Sequence, residues 1–174
     1  MDVSRETEAQ FARYAELITK WNPAINLVAS GTLPDLRNRH IGDSAQLFAL
    51  AKPRAGSWLD LGSGGGLPGI VIAILGRNLP LQVTLVESDR RKSAFLTTVR
   101  RELQLDNLTV KSTRIEQLAR GQFDYVSARA LAPLSELLSM IAPQLASDGE
   151  AWLLKGRTWK QEVEAAQARW SFDI

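Results

Sequence analysis

The chain has 174 residues, 45% apolar and 23% charged, with a formal net charge of +2 and no cysteine. That length fits one domain with a continuous core, and the missing cysteine excludes disulfides, thiolate zinc sites and the covalent cysteine chemistry that attacks pyrimidine C6. No apolar run nears the ~20 residues that span a bilayer, and the N-terminus (Met1, Asp2, Val3, Ser4, Arg5, Glu6) is charged where an export signal is apolar, so a soluble cytoplasmic protein with no membrane partner is expected.

From Ser4 onward, Phe11, Tyr14, Leu17, Ile18 and Trp21 recur at helical spacing. This predicts an amphipathic helix over 4–21, ended at Asn22-Pro23 because the residue before a proline avoids the α region. Asp43 is placed to N-cap a second helix through Leu47, Phe48 and Leu50, stopped by Pro53. Residues 1–52 therefore read as a helical cap. Beyond them, β-like runs at 58–61, 81–87, 108–111, 123–127 and 151–154 alternate with helical segments near 67–75, 90–103, 115–118, 134–145 and 159–170. Alternation of this kind implies right-handed βαβ units and a parallel sheet buried on both faces: an α/β, doubly wound, Rossmann-like core over 53–174 forming one compact unit.

Charge is distributed unevenly. Between Asp89 and Arg120 stand eight cations (Arg90, Arg91, Lys92, Arg100, Arg101, Lys111, Arg114, Arg120) against four anions (Asp89, Glu102, Asp106, Glu116). A solvated helix face and an anionic partner such as nucleic acid both account for such a cluster.

The turn after the first strand, Asp60-Leu-Gly-Ser-Gly-Gly-Gly-Leu-Pro-Gly69, holds five glycines in eight residues. In a doubly wound sheet this turn is the usual ligand contact, and missing Cβ atoms let the backbone approach a ligand closely. Gly64, Gly66 and Gly69 also satisfy the dinucleotide spacing, and Glu87 lies about 20 residues on, where a ribose-binding acid belongs. Two features favour S-adenosylmethionine over a dinucleotide. Asp60 puts an anion beside a loop that would otherwise receive pyrophosphate, and the chain is too short for a separate hydride-acceptor domain. Pro68 suits the first turn of the following helix.

This loop, with Pro68-Gly69 closing it, resembles that of the bacterial 16S ribosomal RNA guanine-N7 methyltransferases, also called the glucose-inhibited division protein B family. Trp21-Asn22, Asn26-Leu27, Arg39-His40, Asp43-Ser44, Glu87-Ser88, Arg91-Lys92, Phe95-Leu96, Arg114-Ile-Glu116, Phe123-Asp124, Ser127-Ala-Arg129-Ala130 and Leu154-Lys155-Gly156 follow the family's order and rough spacing. The resemblance implies a class I methyltransferase fold that binds S-adenosylmethionine through Gly62, Gly64 and Leu67 of the loop with Asp60 beside them. Glu87 would hold the ribose, Ile115 and Glu116 would flank the adenine, and Arg129 would lie near the methionine end. Arg114, Arg129, Lys155 and Arg91 would position the substrate, N7 of guanine 527 in the family's substrate numbering. The implied partner is 16S ribosomal RNA or a small-subunit assembly intermediate, met by a monomer without a metal. The chain departs from the family pattern in having Arg91-Lys92 where Lys-Arg is usual and Gly65 where alanine is frequent, a change that looks harmless to the loop. The family's final antiparallel strands would lie beyond Ile174.

His40 is the only histidine, which leaves no nitrogen-rich metal site. It reads as a packing residue of the cap or as part of the pocket mouth. Trp21, Tyr14 and Phe11 read as the seam between helix and domain. Arg129, ending an apolar strand, needs an anionic partner. Guanine N7 carries no proton, so transfer needs positioning and electrostatics but no general base, and the rate is expected to be flat in pH around ~6.5, where a histidine base would titrate. Other readings share these features: a methyltransferase for another RNA or a small molecule, a nicotinamide-dependent oxidoreductase, or a non-enzymatic RNA-binding module.

Overall fold

The computed structural model describes residues 3–174. Helix α1 (Arg5–Ile25) is capped by the Ser4 hydroxyl, which accepts from the Thr7 N–H, and buries Phe11, Tyr14, Leu17 and Ile18. It outruns the expected stop at Pro23. Proline removes one backbone donor, but in the last turn of a helix that forfeits a single bond, and Asn26 closes the helix in the left-handed conformation. Buried Asn22 secures the extension: its carbonyl accepts from Asn26 N–H and its side-chain oxygen from Val28 N–H.

A 3₁₀ turn (Ser30–Asp35) and a π-helical turn (Arg37–Gly42) lead without a break into α2 (Asp43–Ala51). Asp43 is therefore not an N-cap. The backbone before it is already helical and supplies the acceptors that a cap would replace.

The core follows as β1 (Gly56–Leu61), α3 (Gly69–Leu75), β2 (Leu81–Glu87), α4 (Arg90–Glu102), β3 (Leu108–Ser112), β4 (Phe123–Arg129), α5 (Leu134–Ile141), β5 (Leu145–Leu154) and α6 (Trp159–Gln167). All five strands are parallel, in the order β3-β2-β1-β4-β5. Strand β5 begins six residues before the apolar run that predicted it. Ser147, Asp148 and Glu150 are exposed on this edge strand, so its first half shows no apolar alternation. Helix α5 ends ahead of Pro143, and the segment near 115–118 is a single 3₁₀ turn (Ile115–Gln117).

Side chains alternate across β1, so Trp58 and Leu59 enter different cores. The larger core packs Trp58, Ile70, Ile72, Phe95 and Leu96 with Phe11, Tyr14, Leu17 and Ile18 of α1; the smaller gathers Leu59, Leu61, Val126, Leu137 and Ile141 under α5. Trp21 meets Phe95 with ring centroids 5.7 Å apart. The expected aromatic seam is thus present, and it binds the cap to the same face that carries the glycine turn.

Candidate active site

Because every strand runs the same way, their carboxyl ends share one edge of the sheet. The predicted residues gather there: Gly62 after β1, Glu87 closing β2, Arg114 to Glu116 after β3, Arg129 closing β4 and Lys155 after β5. The strand order reverses between β1 and β4, where such folds hold ligands.

The glycine turn is built by its neighbours. Gly62, Gly64 and Gly66 all lie at positive φ (63°, 56° and 88°). Gly66 could not be replaced: besides the strained φ, a Cβ there would stand 2.4 Å from Ile70 Cγ1 and 2.9 Å from the Tyr14 hydroxyl. Tyr14, fully buried, donates its hydroxyl proton to the Gly65 carbonyl at 2.6 Å. Sequence periodicity made Tyr14 a packing residue, and nothing local to it signals the bond to a loop 51 residues on. The swap at position 65 is also less innocent than it looks, since a Cβ at Gly65 would stand 3.2 Å from the Leu27 carbonyl and require the cap to yield slightly.

Glu87 is buried, and its two oxygens bridge the turn and the start of α4: Oε2 accepts from Gly64 N–H and Oε1 from Asp89 N–H, each at 2.8 Å. Each carboxylate oxygen has a second acceptor direction, so two hydroxyls can still bind. Asp60 points inward instead. Its Oδ1 accepts from Ser127 Oγ at 2.7 Å and its Oδ2 from Gly69 N–H at 3.3 Å, while Trp58 Nε1 donates to the same Ser127 at 2.9 Å. Burial pushes Asp60 up from 3.8 to about 6, against the pull of these hydrogen bonds. Ser127 lies opposite Asp60 across the β1–β4 ladder. Ser127 stands between Val126 and Ala128, a polar residue flanked by apolar ones, and that was its signal.

On the β4–β5 side a cavity of about 870 Å³ is lined by residues including Asp43, Leu47, Arg129, Leu131, Lys155 and Glu162. Arg129 Nη2 lies 2.5 Å from His40 Nδ1, and its Nη1 is buried with no partner among the described residues. Ala130, at φ 48°, turns the chain so that Leu131 approaches Gly62, where a Cβ would lie 2.6 Å from Leu131 Cδ1. Lys155 is already engaged, 2.6 Å from Glu162 Oε2 and donating to the Ala132 carbonyl at 2.8 Å.

On the β3 side Arg114 and Glu116 are exposed and Ile115 half-buried, while the exposed Arg91 stands 3.9 Å from Asp89. Strands lie about 4.8 Å apart, so three spacings put Arg114 roughly 14 Å from Arg129. Among the described residues no cluster of three His, Asp or Glu side chains is placed to hold a metal ion.

A parallel sheet of this order, with a glycine turn at its switch point, an acid closing β2 and a cavity alongside, defines a class I S-adenosylmethionine-dependent methyltransferase core. Solved structures share it. Coclaurine N-methyltransferase bound to S-adenosylhomocysteine superposes with a TM-score of 0.60 at 18% identity, covering 87% of this chain and 52% of that one. A ribosomal protein L11 methylase from Lactobacillus delbrueckii subsp. bulgaricus does so with 0.60 at 16% identity, covering 72% and 64%. The chain belongs to the rRNA small subunit methyltransferase G family, whose model matches residues 7–174. The ribosomal RNA small subunit methyltransferase G of Paracoccus denitrificans is 53% identical over this whole chain and 89% of its own. That of Ruegeria sp. is 49% identical over 99% of this chain and 84% of its own. Membership in this family decides against the nicotinamide reading that the glycines alone left open.

Proposed function

We propose that this protein transfers the methyl group of S-adenosylmethionine to N7 of a guanine in 16S ribosomal RNA, acting as a cytoplasmic monomer on the RNA or on a small-subunit assembly intermediate. The half-free guanidinium of Arg129, in the wall of a cavity beside the glycine turn, carries the assignment of the site. A half-buried cation with an unused N–H fits an oxyanion, which a methionyl carboxylate or an RNA phosphate supplies.

The residues present fit the cofactor. Glu87 offers two acceptor directions to ribose hydroxyls, Gly62, Gly64 and Leu67 would present loop backbone to the cofactor, and Ile115 with Glu116 stands after β3, where an adenine would be flanked. Asp60 acts from beneath the loop, holding Gly69 and Ser127. When bound, the cofactor supplies a methyl group on a sulfonium, already activated as an electrophile. Guanine N7 attacks with a free lone pair, so no side chain has to take a proton; the protein holds the ring in line and screens the transferred positive charge. Lys155 braces the cavity from Glu162, and Arg91 and Arg114 stand outward, free to meet phosphates.

Treatment of 16S rRNA with enzyme and cofactor, then borohydride and aniline, is expected to cut the strand at one guanine, because N7 methylation leaves a cationic, labile purine. Label incorporated without scission overturns the N7 assignment. Charge reversal of Arg114 is expected to lower RNA methylation while leaving S-adenosylhomocysteine affinity unchanged in calorimetry; equal losses would place it in the cofactor site alone.

A further inference from the structure

Arg129 and His40 are 89 residues apart in sequence and meet because the cap folds over the end of β4. Hydrogen-bond logic fixes the state of the histidine. The Arg129 guanidinium can only donate, so the Nδ1 it faces at 2.5 Å must be the bare ring nitrogen, and the ring proton sits on Nε2. Nε2 lies 2.7 Å from Thr32 Oγ1, and that hydroxyl gives its own proton to the Ala29 carbonyl at 2.7 Å. Thr32 is therefore free to accept from Nε2–H. One unbroken chain of donors runs from Arg129 through His40 and Thr32 to the backbone of the cap. The ring is further fixed by its own turn, where the His40 carbonyl accepts from Ser44 Oγ at 2.7 Å.

We propose that His40 is the positioning residue for Arg129: as the neutral Nε2–H tautomer it holds Nη2 of the guanidinium and leaves Nη1, which has no partner among the described residues, to an oxyanion of the bound reactants. This rests on the role given to Arg129 above. The group gripped is a carboxylate of the cofactor or a phosphate of the RNA, which share the same chemistry of recognition.

A consequence follows for pH. Protonated His40 would turn an N–H toward the N–H of Arg129 and add a second positive charge, so the arm would be released. Four charged groups face His40: Arg129 from β4, Arg39 and Asp43 from the π-helical turn and α2, and Asp35 from the 3₁₀ turn. Burial first, then Arg129 and Arg39, hold its pKa below the ordinary value, with Asp43 and Asp35 pulling the other way. His40 is thus neutral at pH 7 and charges on acidification below ~6.5. Activity should have an acid limb even though no base is used, and the pH-independent rate expected from the sequence no longer follows.

His40 is the only histidine in the chain, so its imidazole is identified without assignment work in a nitrogen–proton correlation spectrum of the intact protein. The expected result is a bare Nδ1 at pH 7.5 and a titration that moves to higher pH in Arg129→Gln. A proton on Nδ1, or a titration unmoved by Arg129→Gln, overturns the proposal whether or not the protein methylates RNA. Kinetics give the second arm. His40→Ala is expected to lower kcat/KM about tenfold, the worth of one hydrogen bond to a charged group, whereas His40→Asn, whose Oδ1 takes the place of Nδ1, recovers most of it and lacks the acid limb. Equal losses in the two variants, or a limb that persists in His40→Asn and so belongs to Asp60, overturn it. A weaker affinity of His40→Ala for S-adenosylhomocysteine identifies the oxyanion as the carboxylate; a raised KM for RNA alone identifies the phosphate. Failure of the wild-type protein to methylate any 16S RNA defeats the functional reading and leaves the spectroscopic arm standing.

Discussion

Single residues in this site divide by where their polar atoms point. Asp60 and Glu87 are both buried acids near the ends of adjacent strands, and the sequence assigned both to the cofactor. Asp60 turns its oxygens to Ser127 and Gly69, whereas Glu87 turns one to the backbone of the loop at Gly64 and the other to the Asp89 N–H that opens α4. The consequences are separable. An unfolded chain loses the Asp60 proton near 3.8 and the folded one near 6, so between these values the native state holds the extra proton and its stability falls as pH rises. The difference is on the order of 3 kcal/mol, and Asp60→Asn is expected to abolish that stretch of the stability–pH curve in urea titrations. A variant that keeps the wild-type slope between pH 4 and 6 would show that other groups set it. Glu87→Ala is expected to weaken S-adenosylhomocysteine binding by roughly 1.5–3 kcal/mol in calorimetry, the range for hydrogen bonds to a charged group. It should also loosen Gly64 and Asp89, so faster amide exchange at those two positions accompanies the loss. Unchanged affinity refutes the ribose assignment. Orientation is what the sequence could not give: an acid at a strand end is visible in the chain, but the direction it faces depends on neighbours such as Ser127, 67 residues away.

At the scale of elements, periodicity located the strands and helices because both faces of this sheet are covered, and glycine or proline marks the ends of β1, α3 and α5, although neither residue stands between Pro80 and Gly121. It failed where tertiary contacts override local preference. Buried Asn22 carries α1 past Pro23, the π-helical turn removes the need for a cap at Asp43, and an edge position lets a polar segment begin β5. The clasp between β5 and α6 is a further long-range feature. Lys155 bridges Glu162 and the Ala132 carbonyl, and Glu162 also accepts from Leu134 N–H, so one pair ties α6 to the turn before α5. The nearby ammonium holds Glu162 below its ordinary pKa. Lys155→Met and Glu162→Gln are each expected to lower the melting temperature, and the double variant to lower it by less than the sum of the two, because both remove the Lys155–Glu162 contact. Additive losses would mean that Lys155 acts through the Ala132 carbonyl and Glu162 through Leu134 N–H, with no contribution from their ion pair.

Across the whole molecule, the cap and the sheet share one hydrophobic core. Phe11, Tyr14, Leu17 and Ile18 of α1 and Leu47 of α2 belong to the same buried cluster as Ile70, Phe95 and Leu96, and Tyr14 bonds directly to the glycine turn. The contact between His40 and Arg129 crosses the same boundary, with Thr32 holding His40 from within the cap. The chain reads from its sequence as a helical cap at 1–52 on a core at 53–174. If the cap were separable, removing it would leave a folded core. Truncation instead strips the apolar cover from α3 and α4 at once. Fully burying one large apolar side chain is worth about 1.5–3 kcal/mol, so exposing the partners of four or five of them would cost as much as the 5–15 kcal/mol that stabilises a typical domain. The expected outcome is that the fragment 53–174 is unfolded or molten, and that the intact chain melts in one transition. Trp21 in the cap and Trp58 in β1 allow a direct check. With the other three tryptophans replaced by phenylalanine, and each of this pair then retained singly, the two fluorescence transitions in urea should coincide with each other and with the loss of circular dichroism. A cap signal that melts first, or a fragment 53–174 with sharp side-chain resonances and intact S-adenosylhomocysteine binding, would establish two units and leave the His40–Arg129 contact as a joint between them.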